Sequence, residues 1–222
     1  MAEILELDGR TFVPAEHLSI PEWSGVTTQR LQPTLTLKDD DLFIITDTLG
    51  NIAGDMGDDG NASLGLFCRD TRFLSRLELQ IEGRSPVLLS STAQKGFALS
   101  VLCANPHVDN CLPAEVIGIQ REFVLNGALF EELTITNYSR TPLQFELSLS
   151  FDADFADLFH IRGFAREQTG RLLRQVVEGS ETEEDLKDFT ALALDTGELT
   201  LAYEGLDGVV MESRLQFNHL QP

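Results

Sequence analysis

From Leu143 to Phe151 every second residue is apolar, with Gln144, Glu146, Ser148 and Ser150 between Leu143, Phe145, Leu147, Leu149 and Phe151. Successive side chains of an extended chain point to opposite faces, so a period of two buries one face and leaves the other wet. The stretch reads as a strand, and a lone strand has no partner for its backbone groups. The later residues of Phe73–Ile81 alternate in the same way. Around these two runs lie many short stretches of Ile, Val, Leu, Phe and Thr, punctuated by Gly, Asn, Asp or Pro. They predict strands at 34–38, 42–46, 64–68, 72–82, 86–91, 96–103, 116–125, 128–137, 142–151, 171–178, 189–195, 198–204 and 208–217.

Asn126-Gly127-Ala128 separates two of these runs and predicts a hairpin over 116–137. The one helical window is 180–188, where Ser180 and Glu183 have the spacing of a capping box. Many strands without a regular alternation of strand and long helix argue for an all-β fold. The expected form is a large antiparallel β-sandwich, supersandwich-like, with little helix. Residues 1–33, interrupted by Pro14, Pro21 and Gly25, read as an irregular arm lying along the body; 34–222 read as the sandwich domain.

Composition narrows the partners. Sixteen Lys plus Arg against 36 Asp plus Glu give a net charge of −20, which repels phosphate backbones and anionic lipid headgroups. Nucleic-acid and membrane roles are therefore not expected. Cys68, Cys103 and Cys111 follow no zinc or disulfide spacing, and reduced, buried thiols are expected. Met1–Arg10 carries acids where a signal peptide would be basic, and no run of about 18 apolar residues follows. A cytoplasmic protein is the simplest reading.

Three segments could carry chemistry. Asp55–Asn61 combines acids with glycines, the oxygen ligands that calcium takes, but its spacing is not that of an EF-hand and turns use the same residues. It is read as a turn, with neither metal nor cofactor expected. Arg69, Asp70 and Arg72 interrupt apolar anchors where one strand gives way to the next. Asp70 accepting from local N–H groups, with Arg72 paired nearby, would fix a corner; a surface touching substrate or a neighbouring domain is the functional alternative. In Phe151–Gly163, Asp152, Asp154 and Asp157 interleave with phenylalanines, and Arg162 is the nearest cation. A strand would set Asp152 and Asp154 on one face, whereas a helical turn would bring Asp154 and Asp157 together.

Glycosidases use paired carboxylates, but 36 acids cluster by chance and the phenylalanines suit a structural corner or a domain contact equally well. No catalytic residue is assigned. The four histidines are scattered, and Gly-x-Ser-x-Gly, Walker-type and dinucleotide-binding motifs do not occur. With 14 Phe, one Trp and two Tyr, the aromatic content serves a core, which leaves Trp23, Tyr138 and Tyr203 as the sugar-stacking candidates.

Three motifs resemble the N-terminal domain of bacterial glycogen-debranching-enzyme-like proteins of the amylo-α-1,6-glucosidase type. They are Phe43–Asp47 followed by Gly50, Gly65–Phe67 running on through Asp70–Ser75, and Asp152–Phe159 followed by Arg162-Gly163. The similarity spans about residues 35 to 217; His160 stands where the family pattern has an acid. The resemblance implies a β-sandwich preceding an (α/α)6 barrel whose two carboxylates hydrolyse α-1,6-glucosidic links. Those carboxylates would lie in a part not present here, since the chain stops at Pro222 within a strand-like run.

On that reading the chain itself has no turnover; it packs on its own C-terminal catalytic domain and shapes the rim of the substrate cleft. Arg69, Asp70, Arg72, Asp152, Asp154, Asp157 and Arg162 are its domain-contact or substrate-rim candidates. Two rivals stand beside it: a glucan-binding module using the stacking aromatics, and an acidic protein-interaction domain motivated by charge alone. Oligomeric state and strand order are not legible.

Overall fold

The computed structural model describes residues 5–7, 9–14, 33–53, 63–109, 111–164, 166, 168–176 and 197–218. In chain order the first strands are β1 (Leu5–Leu7), β2 (Arg10–Pro14), β3 (Leu35–Asp39), β4 (Leu42–Thr46), β5 (Ile52–Ala53) and β6 (Gly65–Cys68). Then come β7 (Thr71–Leu74), β8 (Arg76–Ile81), β9 (Val87–Gln94), β10 (Ala98–Ala104), β11 (Ile117–Leu125) and β12 (Leu129–Asn137). β13 (Leu147–Asp152) leads to a single helical turn, α1 (Leu158–Ile161), and β14 (Arg171–Val176), β15 (Glu198–Glu204) and β16 (Val210–Gln216) complete the described elements. Every ladder between them is antiparallel. The protein is all-β, as the alternation predicts.

The chain forms two compact units. One takes the described residues within 29–152 and 156–162, the other those within 1–28, 153–155 and 163–222. The larger unit holds three sheets, ordered β12-β11-β10-β9, β13-β8-β5 and β3-β4-β6-β7. Each contributes its inward residues to the core: Val101, Ile119 and Phe123 from the first, Ile52, Leu79 and Ile81 from the second, Leu37, Ile44 and Phe67 from the third. Burying such side chains is worth roughly 1.5–3 kcal/mol apiece, so the period of two is the main source of stability. β9 ends the first sheet. It is exposed along nearly all its length and carries no charged side chain from Val87 to Gln94.

The smaller unit is one sheet, β1-β2-β14-β15-β16. Leu173 and Ala202 are its buried centre, with Val210 packed against them. Arg10 is tied to Glu198 by an ion pair and to the Thr200 hydroxyl by a hydrogen bond of 2.9 Å. Where the first residues read as an irregular arm, 5–7 and 10–14 are strands. β1 pairs with β2, and β2 in turn pairs with β14, whose Leu173–Val176 lie opposite Pro14–Thr11.

Elsewhere the departures from expectation concern where strands stop. The run 72–82 is two strands, because the chain changes sheets at the buried Ser75, whose N–H donates to the carbonyl of Asp152 at 2.8 Å. The run 142–151 becomes a strand only at Leu147. Its partner β8 ends at Ile81, where Glu82 (φ 50°) and Gly83 (φ 66°) turn away; the residue before Leu147 is held instead by Glu82, whose N–H donates to Glu146 O at 2.9 Å. The exposure still alternates from 143 to 147. The hairpin at Asn126–Ala128 is present, with Leu125 opposite Leu129. The strand expected at 189–195, the helix expected at 180–188 and the Asp55–Asn61 turn lie outside the described residues.

One glycine is fixed by both conformation and space. Gly50 has φ 76°, and a Cβ there would lie 2.6 Å from Cε2 of the buried Phe123. The Gly50→Ala variant should lose about 2–4 kcal/mol of stability in urea unfolding, from left-handed strain plus overpacking. A midpoint and slope unchanged from the parent would contradict this packing.

Candidate functional site

Two of the conspicuous motifs meet in the larger unit. Cys68 pairs with Thr71, so Arg69 and Asp70 alone form the β6–β7 turn, with φ of 47° and 65°. A two-residue turn with both residues left-handed matches the twist of a hairpin, and Asn-Gly is its usual occupant. Here a charged pair holds the strained positions at the surface. Arg69 is 84% exposed and lies 3.5 Å from Asp41, an ion pair that solvent screening makes weak.

The segment after β13 runs back along this hairpin. Arg72 N–H donates to Ala156 O at 2.9 Å, Leu158 N–H donates to Asp70 O at 3.0 Å, and Thr71 forms an isolated bridge with Asp157. Asp70 thus takes part through its carbonyl. Asp157 is the N-cap of α1, its Oδ1 accepting from the N–H groups of Phe159 and His160, both at 2.9 Å. Arg162 closes the turn, donating its N–H to Leu158 O, and Gly163 follows at φ 89°. Capping aspartate and left-handed glycine are the start and stop signals of one helical turn. That gives this motif a local reason. Phe159 on the turn is exposed.

Beneath the corner, Arg72 is fully buried and donates from Nη1 to Leu64 O at 3.1 Å. Its stem occupies the space beside Gly65, where a Cβ would come within 2.5 Å of Arg72 Cδ. Gly65 and Arg72 therefore belong together.

The remaining candidates fall apart in space. Asp152 ends β13 opposite Arg76. Asp154 belongs to the smaller unit, half-buried beside the buried Phe155. There Tyr203 stacks on Phe155 with centroids 5.7 Å apart, and its hydroxyl accepts from Gly170 N–H at 2.6 Å. Tyr138 is exposed in the larger unit, its ring over Gly118. Trp23 lies outside the described residues. Among the described residues no group of three or more His, Cys, Asp or Glu is arranged to hold a metal ion, and no helix is long and apolar enough to cross a membrane.

A second polar cluster went unread in the sequence. Arg121 is buried on the inner face of β11, 4.8 Å over the ring of Phe123. Its Nε donates to Glu131 at 2.7 Å, and its Nη1 donates to Leu49 O at 2.9 Å and to Asn51 Oδ1 at 2.6 Å. Asp47 Oδ1 accepts from the N–H groups of Leu49 and Asn51, each at 2.8 Å, while Asn51 Oδ1 also accepts from Leu79 N–H. The turn bearing the Asp47…Gly50 motif is so clamped to β11 and β8. Its signal was the phase of Ile117, Ile119, Arg121, Phe123 and Leu125, which points the arginine inward with its neighbours.

Burial raises the Asp47 carboxyl above its ordinary value of 3.8; the N–H groups of Asn51 and Leu49 and the Arg121 guanidinium hold it back, and Glu78 pushes it further up. Burial also pushes the Cys103 thiol up to about 11, leaving little nucleophilic thiolate at neutral pH.

The architecture defines a large antiparallel β domain whose recognisable motifs are spent on corners and turns. The family described as the N-terminal domain of (some) glycogen debranching enzymes matches residues 37–222, and the chain belongs to that family. No curated protein and no solved structure matches it.

Two measurements check this site. The folded Asp47 carboxyl keeps its proton to higher pH than it does in the unfolded chain, so as pH rises from 3.8 towards the raised value this group subtracts stability. Asp47→Asn keeps an oxygen for both N–H groups and removes the charge; urea midpoints across that window should fall less with pH in the variant, and parallel profiles would refute the assignment. Replacing Arg69-Asp70 by Asn-Gly should add about 1 kcal/mol by relieving left-handed strain. No gain in thermal midpoint would mean the turn is not strained.

Proposed function

We propose that this chain is an accessory domain of a debranching glycoside hydrolase in the cytoplasm, without turnover of its own. It packs on a downstream (α/α)6 barrel and forms one rim of the cleft that accepts α-1,6-branched glucan. Family membership supports the kind of enzyme. The observation that carries the contact role is the corner: two left-handed residues, Arg69 and Asp70, stand at the surface, Asp70 tied by its carbonyl to Leu158 of a second motif that also presents Phe159 and Arg162. Strain kept at an exposed turn, beside an exposed phenylalanine, suits a docking surface better than a solvated one. The three cysteines are free, in keeping with a reducing compartment, although against expectation only Cys103 is buried, Cys68 being half-buried and Cys111 exposed.

The decisive comparison uses a branched limit dextrin. The 222-residue chain should release no glucose, while Arg69→Ala/Phe159→Ala in the longer protein should lower kcat/KM roughly tenfold, about 1.4 kcal/mol, with the corner still folded. Glucose release by the isolated chain near the rate of the longer protein would end the accessory reading. Unchanged kinetics in the double variant would remove the corner from it.

A further inference from the structure

At the hairpin end of the sheet β12-β11-β10-β9, Lys38, Asp39, Phe97, Val124, Leu125 and Asn126 line an open cavity of about 310 Å³. That sits at the lower end of ligand-sized pockets, which run from roughly 300 to 1,000 Å³. Its walls are bonded into one frame. Lys38 N–H donates to Gly96 O at 2.7 Å, Leu125 N–H to Phe97 O at 2.8 Å, and Gly127 N–H to Asp39 Oδ2 at 2.7 Å. Lys95 and Gly96, with φ of 52° and 76°, turn the chain tightly enough to set Phe97 beside β11.

The floor is apolar and open to water. Phe97 is 41% exposed and Val124 38%, and Phe130, 58% exposed, is the cross-strand partner of Val124 on the same outer face. The core explains none of these exposures. The lining residues include a lysine, whose ammonium only donates, an aspartate, whose carboxylate only accepts, and an asparagine, whose amide does both. Within the lining the two charges offset each other, while Asp40 and Asp41 follow directly in the sequence of a chain whose net charge is −20.

A ligand matched to this set has an apolar ring face and hydroxyls that donate and accept, and bears no charge. We infer that the cavity binds a neutral saccharide unit of an α-glucan, its C–H face lying on Phe97 and its hydroxyls meeting Lys38, Asp39 and Asn126. The α-glucan class follows from family membership; none of the lining residues belongs to the Arg69–Asp70 corner, whose ion-pair partner Asp41 lies two residues after Asp39, and the site needs no contact with a barrel.

The test titrates the ¹⁵N-labelled 222-residue chain with maltoheptaose. Amide shifts should move at Gly96–Ala98 and Leu125–Gly127, with a Kd near the millimolar range expected of one shallow subsite, about −4 kcal/mol. Phe97→Ala and Asn126→Ala, both at exposed positions, should weaken binding roughly tenfold and several-fold, while Leu206→Ala, exposed in the smaller unit, leaves it unchanged. No shifts at roughly 10 mM sugar, shifts confined to other residues, or undiminished affinity in a folded Phe97→Ala chain would each overturn the site. Equal affinity for cellohexaose would overturn the α-glucan assignment. Sugar binding here with unaltered kinetics in the corner variants would keep this inference and remove the corner from the accessory reading.

Discussion

A buried guanidinium organises the larger unit. Arg121 has left water completely: its Nε meets Glu131, its Nη1 meets the carbonyl of Leu49 and the amide oxygen of Asn51, and Phe123 offers its ring face, while Nη2 is buried with no hydrogen-bond partner among the described residues. Those partners come from three parts of the chain, so the arginine forces β11, β12 and the turn after β4 into one arrangement. A slip of β11 by one residue would drive Arg121 to the wet face and Gln120 and Glu122 into the core. An apolar side chain at this position would leave register less strictly specified.

The same logic gives the family motifs a physical meaning. Gly50 is where Phe123 passes, Gly65 is where the stem of Arg72 lies, and Asp157 with Gly163 begins and ends a helical turn. These residues mark places where backbone is approached closely or must bend sharply. Their positions describe how the sheets are joined and leave the chemistry to other residues.

Sequence legibility followed the same line. Alternation located most strands and the Asn126–Ala128 hairpin because each inward residue reports its own burial. It could not show that β13 begins only at Leu147, since the loss of the ladder partner at Ile81 is a property of another segment. Strands as short as β1 and β5 contain too few residues to express a period. In the candidate site the charged corner was conspicuous, yet its meeting with the Asp152–Arg162 segment is a long-range backbone contact without local trace. Phe97, by contrast, read as one more core phenylalanine; only the tight turn before it lifts its ring to the surface.

β9 carries a consequence for how the domain behaves in company. Among the described residues β9 is paired on one side only, and its outer edge, with Pro86 before and Lys95 after, offers a template on which another chain could add a strand. The surplus of acids works against such fusion by keeping molecules apart at distances up to the Debye length, about 8 Å in physiological salt. Colloidal stability in this protein is therefore a contest between a sticky rim and a like-charged cloud, and the ionic strength of its surroundings decides the margin.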